Sequence, residues 1–232
     1  MNERRLPVYL VIDTSGSMDG SAIEQVRNGI QFLLGDLRDD ADALETAWLS
    51  VITFDSQARQ LAPLTELESF QVPQLHASGQ TALGPALRLL SECRAKEIVE
   101  NTEDQRGDWY PLVFLMTDGR PNVGSVDDGI AAIQSQKWGN VICLGAGQGS
   151  EDSVLALLKR IADVCPSKNG EEAEVPKVLH LRDLGPSGLK AYFKWVSQSI
   201  KKTSKKLNST GESGEASPYS DLPPLPAELL QP

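Results

Sequence analysis

Residues Val8 to Ser17 read Val-Tyr-Leu-Val-Ile-Asp-Thr-Ser-Gly-Ser, an apolar run that ends at Asp13 and passes into a turn of small polar residues. The apolar run is typical of a buried β-strand, and the residues that follow the turn show helical spacing. In α/β folds, ligands bind at the sheet edge where such strands end. We therefore expect Asp13, Ser15 and Ser17 to lie at a ligand site.

The side chains of Asp13, Ser15 and Ser17 offer oxygen atoms and neither nitrogen nor sulfur. A hard cation such as Mg²⁺ prefers oxygen ligands at about 2.0–2.1 Å. The alternative is that the two serines cap the following helix and that Asp13 completes the turn. Ser21 and Glu24 match a capping box, which would already supply the helix cap. The cation is therefore the favoured interpretation of the three oxygen-bearing side chains.

Strand and helix patterns alternate along the rest of the chain. Apolar strand runs are predicted at Ala47 to Phe54, Pro111 to Asp118, Val141 to Leu144 and Lys177 to Leu181, with an antiparallel edge strand at Ala58 to Ala62. Helical patterns separate most of these runs. The alternation predicts an α/β fold with a mostly parallel sheet, one antiparallel edge strand and helices on both faces.

A second carboxylate, Asp118, ends the strand run that begins at Pro111. If the two apolar strands are neighbours, Asp13 and Asp118 lie side by side, and they repel each other unless a cation or a proton lies between them. Thr81 stands at the mouth of a predicted helix, where an N-cap role is the alternative interpretation of its hydroxyl. The two carboxylates make a metal ion the better explanation of this edge.

Composition excludes several classes of partner and compartment. The formal net charge of −10 and the pI near 4.7 argue against a nucleic-acid partner, which requires clustered basic residues. The three cysteines, Cys93, Cys143 and Cys165, are widely spaced and suggest neither a disulfide framework nor a zinc site. No apolar segment approaches the ~20 residues of a membrane span. We expect a soluble protein in a reducing cytoplasm.

The composition changes at residue 201, where Lys, Ser, Gly, Glu and Pro become dominant. We therefore expect one domain over residues 1–200 and a mobile tail over residues 201–232, because the tail has little apolar surface to offset its ordering entropy. The tail ends in a proline-rich run from Asp221 to Leu230. Docking of this run on a partner, or binding back on its own domain, are the alternatives to disorder.

Some short features receive no functional role. The tripeptide Arg106-Gly107-Asp108 matches an integrin-recognition sequence, but matches of three residues arise by chance. His76 and His180 are isolated in the sequence and lack the partner residues that a general base requires.

Three separated motifs together resemble the metal-ion-dependent adhesion site of the von Willebrand factor A domain. The motifs are Asp13-x-Ser15-x-Ser17, Thr81 preceded by Gly79, and Asp118-Gly119. The resemblance covers about residues 6–200 and implies a three-layer, Rossmann-like fold with a six-stranded sheet. The runs Leu-Pro-Val-Tyr-Leu-Val-Ile-Asp-Thr-Ser-Gly-Ser-Met and Phe-Leu-Met-Thr-Asp-Gly-Arg-Pro are also similar to bacterial TerY-type proteins of tellurite-resistance clusters.

The resemblance implies a role for each site residue. Ser15, Ser17 and Thr81 would contact a divalent ion directly or nearly so, and Asp13 and Asp118 would act directly or through water. Mg²⁺ is the expected ion, with Mn²⁺ or Ca²⁺ as alternatives. An acidic residue of a protein partner would complete the coordination. The expected function is a metal-dependent protein-interaction module in tellurite-resistance or stress-response signalling, with phosphorylation-related proteins among its partners.

Two other functions were weighed, a Mg²⁺-dependent phosphatase or hydrolase that uses Asp13 as nucleophile, and a metal-independent scaffold. Haloacid-dehalogenase-type enzymes carry a second Asp two residues after the first, where this chain has Ser15. No Walker lysine follows a glycine-rich loop. All five ligand types are intact, which argues against a degenerate scaffold. We predict that the chain is not an enzyme.

Overall fold

The computed structural model describes residues 4–147, 152–165, 177–182, 184–210 and 222–229. The strands are β1 Leu6–Asp13, β2 Ala47–Phe54, β3 Ala58–Glu66, β4 Leu112–Thr117, β5 Asn140–Ala146 and β6 Val178–Leu181. The helices are α1 Ser21–Arg38, α2 Ala41–Thr46, α3 Leu83–Glu97, α4 Val126–Gln134, α5 Asp152–Ala162 and α6 Pro186–Thr210. Short 3₁₀ helices span Gly16–Met18 and Ala227–Leu229. None of the described helices is both long and apolar enough to cross a membrane.

The six strands form one sheet in the order β3-β2-β1-β4-β5-β6. Strand β3 is antiparallel to β2, and the other neighbouring strands are parallel. The predicted mixed sheet with one antiparallel edge strand is therefore confirmed. The chain leaves β1 toward β2 and later returns to the other side of β1 as β4, so the strand order reverses there. The carboxyl ends of β1 and β4 thus border the crevice where α/β folds bind ligands.

Successive side chains of a strand point to opposite faces of the sheet. In this sheet both sets of side chains are apolar, so both faces are apolar. Leu10 and Ile12 of β1 belong to an apolar cluster with α1 and α6, which defines the α1 face. Tyr9 and Val11 belong to a second cluster with α3, α4 and α5, which defines the α3 face. All eight residues of β1 are buried, which explains why this strand reads as a continuous apolar run rather than an alternating one.

Crossover handedness decides how many helices cover each face. The connection from β1 to β2 runs in one direction along the sheet, and the connections from β3 to β4, β5 and β6 run in the other. Right-handed crossovers then place α1 on one face and α3, α4 and α5 on the opposite face. Helix α6 returns to the α1 face and lies against α1. The two helices approach closely at Gly29, where an added Cβ would lie only 2.0 Å from the Phe193 ring.

Three local features differ from the sequence predictions. Helix α1 begins at Ser21 with Gly20 as its N-cap, so the predicted capping box is wrong because Ser21 already lies inside the helix. Helix α2 was not predicted, and it begins after Asp40, whose carboxylate accepts a hydrogen bond from the amide of Ala43 at 3.0 Å. Strand β3 continues past Ala62 to Glu66.

Two segments of the C-terminal region have defined positions in the structure. Helix α6 continues to Thr210, past the boundary expected at residue 200. Residues 222–229 lie against the domain, with Leu222 and Leu229 buried in the apolar cluster of the α1 face. The structure thus places residues 201–210 in a helix and residues 222–229 against the domain, and the mobility expected for residues 201–232 stays a prediction. Residues 211–221 and 230–232 lie outside the described part of the chain.

Candidate metal site at the sheet edge

The candidate site lies at the carboxyl ends of β1 and β4. The two strands pair in parallel with Ile12 opposite Met116, so the next residues, Asp13 and Thr117, are also neighbours. The Thr117 hydroxyl donates a hydrogen bond of 2.5 Å to Asp13 Oδ2. Asp118 follows directly at the same sheet edge. The structure thus brings both predicted carboxylates to the edge where the strand order reverses.

Asp13 forms the floor of the site. Its side chain is fully buried, and both of its carboxylate oxygens accept hydrogen bonds. Oδ1 accepts from the backbone amide of Ser15 at 2.8 Å, and Oδ2 accepts from Thr117. The first of these bonds holds the turn after β1 in the shape that lifts the two serines above the carboxylate. Asp13 therefore has one fixed orientation.

The hydroxyls of Ser15 and Ser17 lie above this floor. Their Oγ atoms are 3.1 Å apart, and Ser17 Oγ donates a hydrogen bond of 2.8 Å to Asp118 Oδ1. Ser15 is buried, whereas Ser17 is exposed. The site therefore has a buried floor and an open mouth, as a site that exchanges a ligand with solvent requires.

Thr81 reaches the same place from the loop before α3. A Cβ atom placed on Gly119 would lie 3.7 Å from Thr81 Oγ1 and 3.9 Å from Ser17 Oγ. The absence of a side chain at Gly119 therefore leaves room between these two hydroxyls. All five predicted site residues, which are Asp13, Ser15, Ser17, Thr81 and Asp118, are gathered around one small volume.

Helix capping does not account for these hydroxyls. Ser15 is the N-cap residue of the 3₁₀ helix Gly16–Met18, yet its side chain makes no capping hydrogen bond. The N-cap of α3 is Ala82 rather than Thr81. The capping interpretations of Ser15 and Thr81 are therefore wrong, and their side-chain oxygens remain available to a ligand.

Burial raises the pKa of both carboxyl groups. The pKa of Asp13 rises to about 6, chiefly by burial, against the hydrogen bonds from Thr117 and Ser15, and the nearby Asp118 raises it further. Burial likewise raises the pKa of Asp118, which the hydrogen bond from Ser17 opposes. Within the described residues neither carboxylate forms a salt bridge. The site therefore favours an added positive charge.

The donor set fits a hard divalent cation. It consists of two carboxylates and three hydroxyls, which are the oxygen ligands that Mg²⁺ and Ca²⁺ prefer. The described residues contain no cluster of three or more His, Cys, Asp and Glu side chains suited to a metal. A site of softer nitrogen and sulfur ligands is thus not what this edge provides.

Two residues that the sequence analysis missed support the site. Asn122 forms two hydrogen bonds with the backbone of Thr81: the amide of Thr81 donates to Asn122 Oδ1 at 2.8 Å, and the amide of Asn122 donates to the carbonyl of Thr81 at 3.1 Å. Thr117 orients Asp13. Thr117 was recognisable as the hydroxyl that precedes Asp118 in an otherwise apolar strand, whereas no local pattern marks Asn122.

Gly79 joins the Thr81 loop to the serine turn. Its carbonyl accepts a hydrogen bond of 3.1 Å from the amide of Gly16, and the amide of Ser78 donates to the carbonyl of Thr14 at 2.9 Å. The φ angle of Gly79 is +73°, and an added Cβ would lie 2.4 Å from Ser56 Oγ. Both observations explain why glycine stands two residues before Thr81.

The acidic residue of the integrin-recognition tripeptide is not presented to solvent. The carboxylate of Asp108 is buried, pairs with Arg5 at 2.5 Å and accepts a hydrogen bond of 2.8 Å from the amide of Val99. An integrin would need this carboxylate exposed, so the tripeptide has a structural role in this chain.

Comparisons with known proteins agree with this fold. The uncharacterized protein sll0103 of Synechocystis sp. is 32% identical over 133 residues, which cover 54% of this chain and 28% of that protein. The solved von Willebrand factor type A protein from Catenulispora acidiphila has a TM-score of 0.63 at 21% identity and covers 86% of this chain and 43% of its own.

A second similar structure carries a metal. Proximal thread matrix protein 1 from the mussel byssus, solved with a zinc-occupied MIDAS motif, has a TM-score of 0.59 at 21% identity. The match covers 84% of this chain and 48% of that one. This chain therefore spans less than half of the length of each of the three proteins.

The model of the von Willebrand factor type A domain matches residues 8–177, which are well over half of the chain. Together with the sheet order and the helices on both faces, this match shows that the chain belongs to the von Willebrand factor type A domain family.

Proposed function

We propose that this chain is a metal-dependent protein-interaction module. The observation that carries the proposal is the line of oxygens from Ser15 Oγ to Ser17 Oγ to Asp118 Oδ1, with separations of 3.1 and 2.8 Å, above the buried carboxylate of Asp13. The two serines and Thr81 would hold a divalent cation, and the two aspartates would balance its charge. The cation would attract an acidic side chain of a partner protein.

We propose Mg²⁺ as the ion, with Mn²⁺ and Ca²⁺ as the alternatives. The support is the donor set, because hydroxyl and carboxylate oxygens are hard ligands. The zinc in the MIDAS motif of the mussel protein supports a divalent ion at this place in the family without selecting the element. When bound, the ion supplies a positive charge and a coordination position that a partner carboxylate can occupy.

Asp13 is poorly placed to act as the nucleophile of a hydrolase. Both of its oxygens accept hydrogen bonds from Ser15 and Thr117, and the side chain is fully buried. A nucleophilic carboxylate needs one oxygen directed at the substrate. This geometry favours the interaction module over the enzyme. In a metal-independent scaffold no cation would compensate the buried carboxylates of the site, so we do not favour this function.

We also propose the setting of TerY-type proteins, namely the bacterial cytoplasm, tellurite-resistance or stress-response signalling and phosphorylation-related partners. The support is the sequence resemblance around Asp13 and Asp118. We propose that the domain extends beyond residue 200 to Thr210, where α6 ends.

Isothermal titration with Mg²⁺ and Mn²⁺ tests the metal site. Asp118→Ala should weaken binding at least tenfold, whereas Asp104→Ala, which removes an exposed carboxylate from a loop before β4, should leave it unchanged. A pull-down with wild type and Asp118→Ala, each with Mg²⁺ and with EDTA, then tests the interaction. A partner retained only by metal-loaded wild type is the expected result. Equal metal affinity in wild type and Asp118→Ala would refute the site.

A further inference from the structure

The α1 face of the sheet has an opening beside β6 that a separate segment closes. Three crossover helices cover the α3 face, whereas the α1 face receives α1, the short helix α2 and the returning α6. The 3₁₀ helix Ala227–Leu229 contacts both α6 and β6 and thereby fills the space that remains. We call the apolar surface formed by Leu179 and Leu181 of β6 and Trp195 of α6 the C-terminal groove.

Residues 222–229 occupy this groove through a few anchor side chains. Leu222 and Leu229 are 8% and 3% exposed, and Leu225 is half-buried against the same cluster. Pro224 and Glu228, which alternate with these anchors, are exposed. Spaced leucine anchors separated by exposed residues are typical of a peptide bound in a groove rather than of a core element.

Trp195 supplies a polar contact at the bottom of the groove. Its indole Nε1–H donates a hydrogen bond of 3.0 Å to the carbonyl of Pro223. The indole is itself held by an edge-to-face contact with Phe114 of β4, with ring centroids 6.4 Å apart. A preoriented indole donor that meets a proline carbonyl is the arrangement by which aromatic grooves recognise proline-rich peptides. The contact is buried, so release of the segment would deprive the indole donor of this acceptor.

The sheet, the metal site and all six helices are complete before residue 222. The segment is separated in sequence from the end of α6 by residues 211–221. Proline-rich segments lose little conformational entropy when they bind, so few anchors suffice to hold one. The same properties allow a second segment of similar composition to compete for the groove.

We propose that the C-terminal groove is a docking site for leucine- and proline-rich peptide segments of partner proteins, and that residues 222–229 are its internal competitor. The groove contacts leucine side chains through β6 and α6 and a backbone carbonyl of the bound segment through Trp195. It shares no residue with the five-residue metal site, so this proposal is independent of metal binding.

The first test supplies the segment as a separate peptide. Leu222→Ser combined with Leu229→Ser in the full chain releases the internal competitor and leaves α6 and β6 unchanged. A fluorescent peptide with the sequence of residues 221–230 should bind this double variant at least tenfold more tightly than it binds wild type, as measured by fluorescence anisotropy. A peptide with its leucines replaced by serine should not bind. A folded double variant that fails to bind the peptide would overturn the proposal.

The indole contact is tested in the same double variant. Trp195→Phe keeps an aromatic ring but removes the N–H donor, so peptide affinity should fall several-fold. Trp138→Phe is the matched control, because Trp138 Nε1 donates to the carbonyl of Ile133 on the α3 face. Equal losses for the two substitutions would show that Trp195 acts only through overall stability, against the proposal.

Hydrogen exchange on wild type keeps the proposal testable if the double variant does not fold. The amide of Leu229, which donates to the carbonyl of Pro226, should exchange at a urea concentration at which α6 stays protected. If the amide of Leu229 and the amides of α6 lose protection at the same urea concentration, residues 222–229 are an integral part of the core. That result would overturn the proposal. A wild-type dimer that the leucine substitutions abolish would assign the groove to a second copy of the chain, which also contradicts a partner peptide.

Discussion

The two ends of β1 differ in whether a buried carboxylate is paired with a cationic side chain. Before its first residue, Arg5 forms two hydrogen bonds of 2.8 and 2.5 Å with the carboxylate of Asp108, and its guanidinium lies 4.7 Å from the Trp48 ring. After its last apolar residue, Asp13 receives hydrogen bonds only from neutral donors among the described residues. The charge of Asp108 is compensated by Arg5 within the fold. The charge of Asp13 has no such partner among the described residues, and a bound cation would compensate it.

The structural site around Arg5 and the candidate binding site around Asp13 also differ in whether the fold favours the charged form of the buried group. The hydrogen bonds that Arg5 donates to the carboxylate of Asp108 raise the pKa of Arg5 and thereby favour its charged form. Burial raises the pKa of Asp13 to about 6 and thereby disfavours its charged form. Uncompensated buried charge is typical of functional sites.

The largest effect is expected at the neutralised end. Arg5→Ala leaves the buried carboxylate of Asp108 unpaired and should lower the free energy of unfolding by about 3 kcal/mol. Urea unfolding followed by circular dichroism measures this change. Asp104→Ala on an exposed loop should change stability by less than about 0.5 kcal/mol. If Arg5→Ala and Asp104→Ala lowered the free energy of unfolding by similar amounts, the pairing of Asp108 with Arg5 would not be a special source of stability.

At the other end, removal of the charge should have the opposite sign. Asp13→Asn removes the cost of keeping a buried carboxylate ionised, so the metal-free protein at pH 7 should gain about 2 kcal/mol in its free energy of unfolding. The same variant should lose the stabilisation that added Mg²⁺ gives to wild type. Urea unfolding in EDTA and in Mg²⁺ measures both effects. A destabilised Asp13→Asn protein in EDTA would contradict the uncompensated charge.

The gain from Asp13→Asn should depend on pH. The folded-state pKa of about 6 lies above the ordinary value of 3.8, so the folded protein holds the proton more tightly than the unfolded chain does. The Asp13 contribution to stability is therefore present below pH 4 and is lost as pH rises through 6. The stability difference between variant and wild type in EDTA should accordingly shrink toward zero from pH 7 to pH 4. A constant difference over this range would show that Asp13 has no raised pKa.

The smallest effect on stability, and the most selective one on binding, is expected for Asn122→Ala. It leaves the amide of Thr81 without its acceptor and should cost about 1 kcal/mol of stability. Metal affinity should fall about tenfold, because outer residues orient the ligands. Asn101→Ala is the matched control, since Asn101 Oδ1 also accepts from a backbone amide, that of Gly107, at 2.8 Å. Calorimetry should find unchanged metal affinity in the control.

The sequence predicted the central sheet and the site residues because both leave local signals. Strands β1 and β4 are buried on both faces and appear as unbroken apolar runs that end in Asp13 and next to Asp118. The oxygen-bearing side chains follow those ends within a few residues. The supporting residue Asn122 was missed because its effect on Thr81 passes through a hydrogen bond between distant loops, which no local pattern shows.

The end of α6 was missed for a different reason. Its buried face after residue 200 consists largely of small polar residues, with Thr203 and Ser204 at 1% and 0% exposure. Thr203 satisfies its hydroxyl with the carbonyl of Ser199, one turn earlier in the same helix. Such a face has no apolar periodicity that would indicate a helix. The composition of this stretch is instead dominated by its lysines. Residues 222–229 were missed because three leucine anchors among prolines do not match the period of any helix or strand.

The uneven covering of the sheet has a consequence for biosynthesis. The α3 face is complete once α5 has been made, but the α1 face is closed only by α6 and residues 222–229, which come later in the chain. While the ribosome synthesises those last segments, the apolar side chains of β5 and β6 on the α1 face have no cover. The nascent chain is therefore most prone to self-association and to chaperone capture just before its final helix emerges.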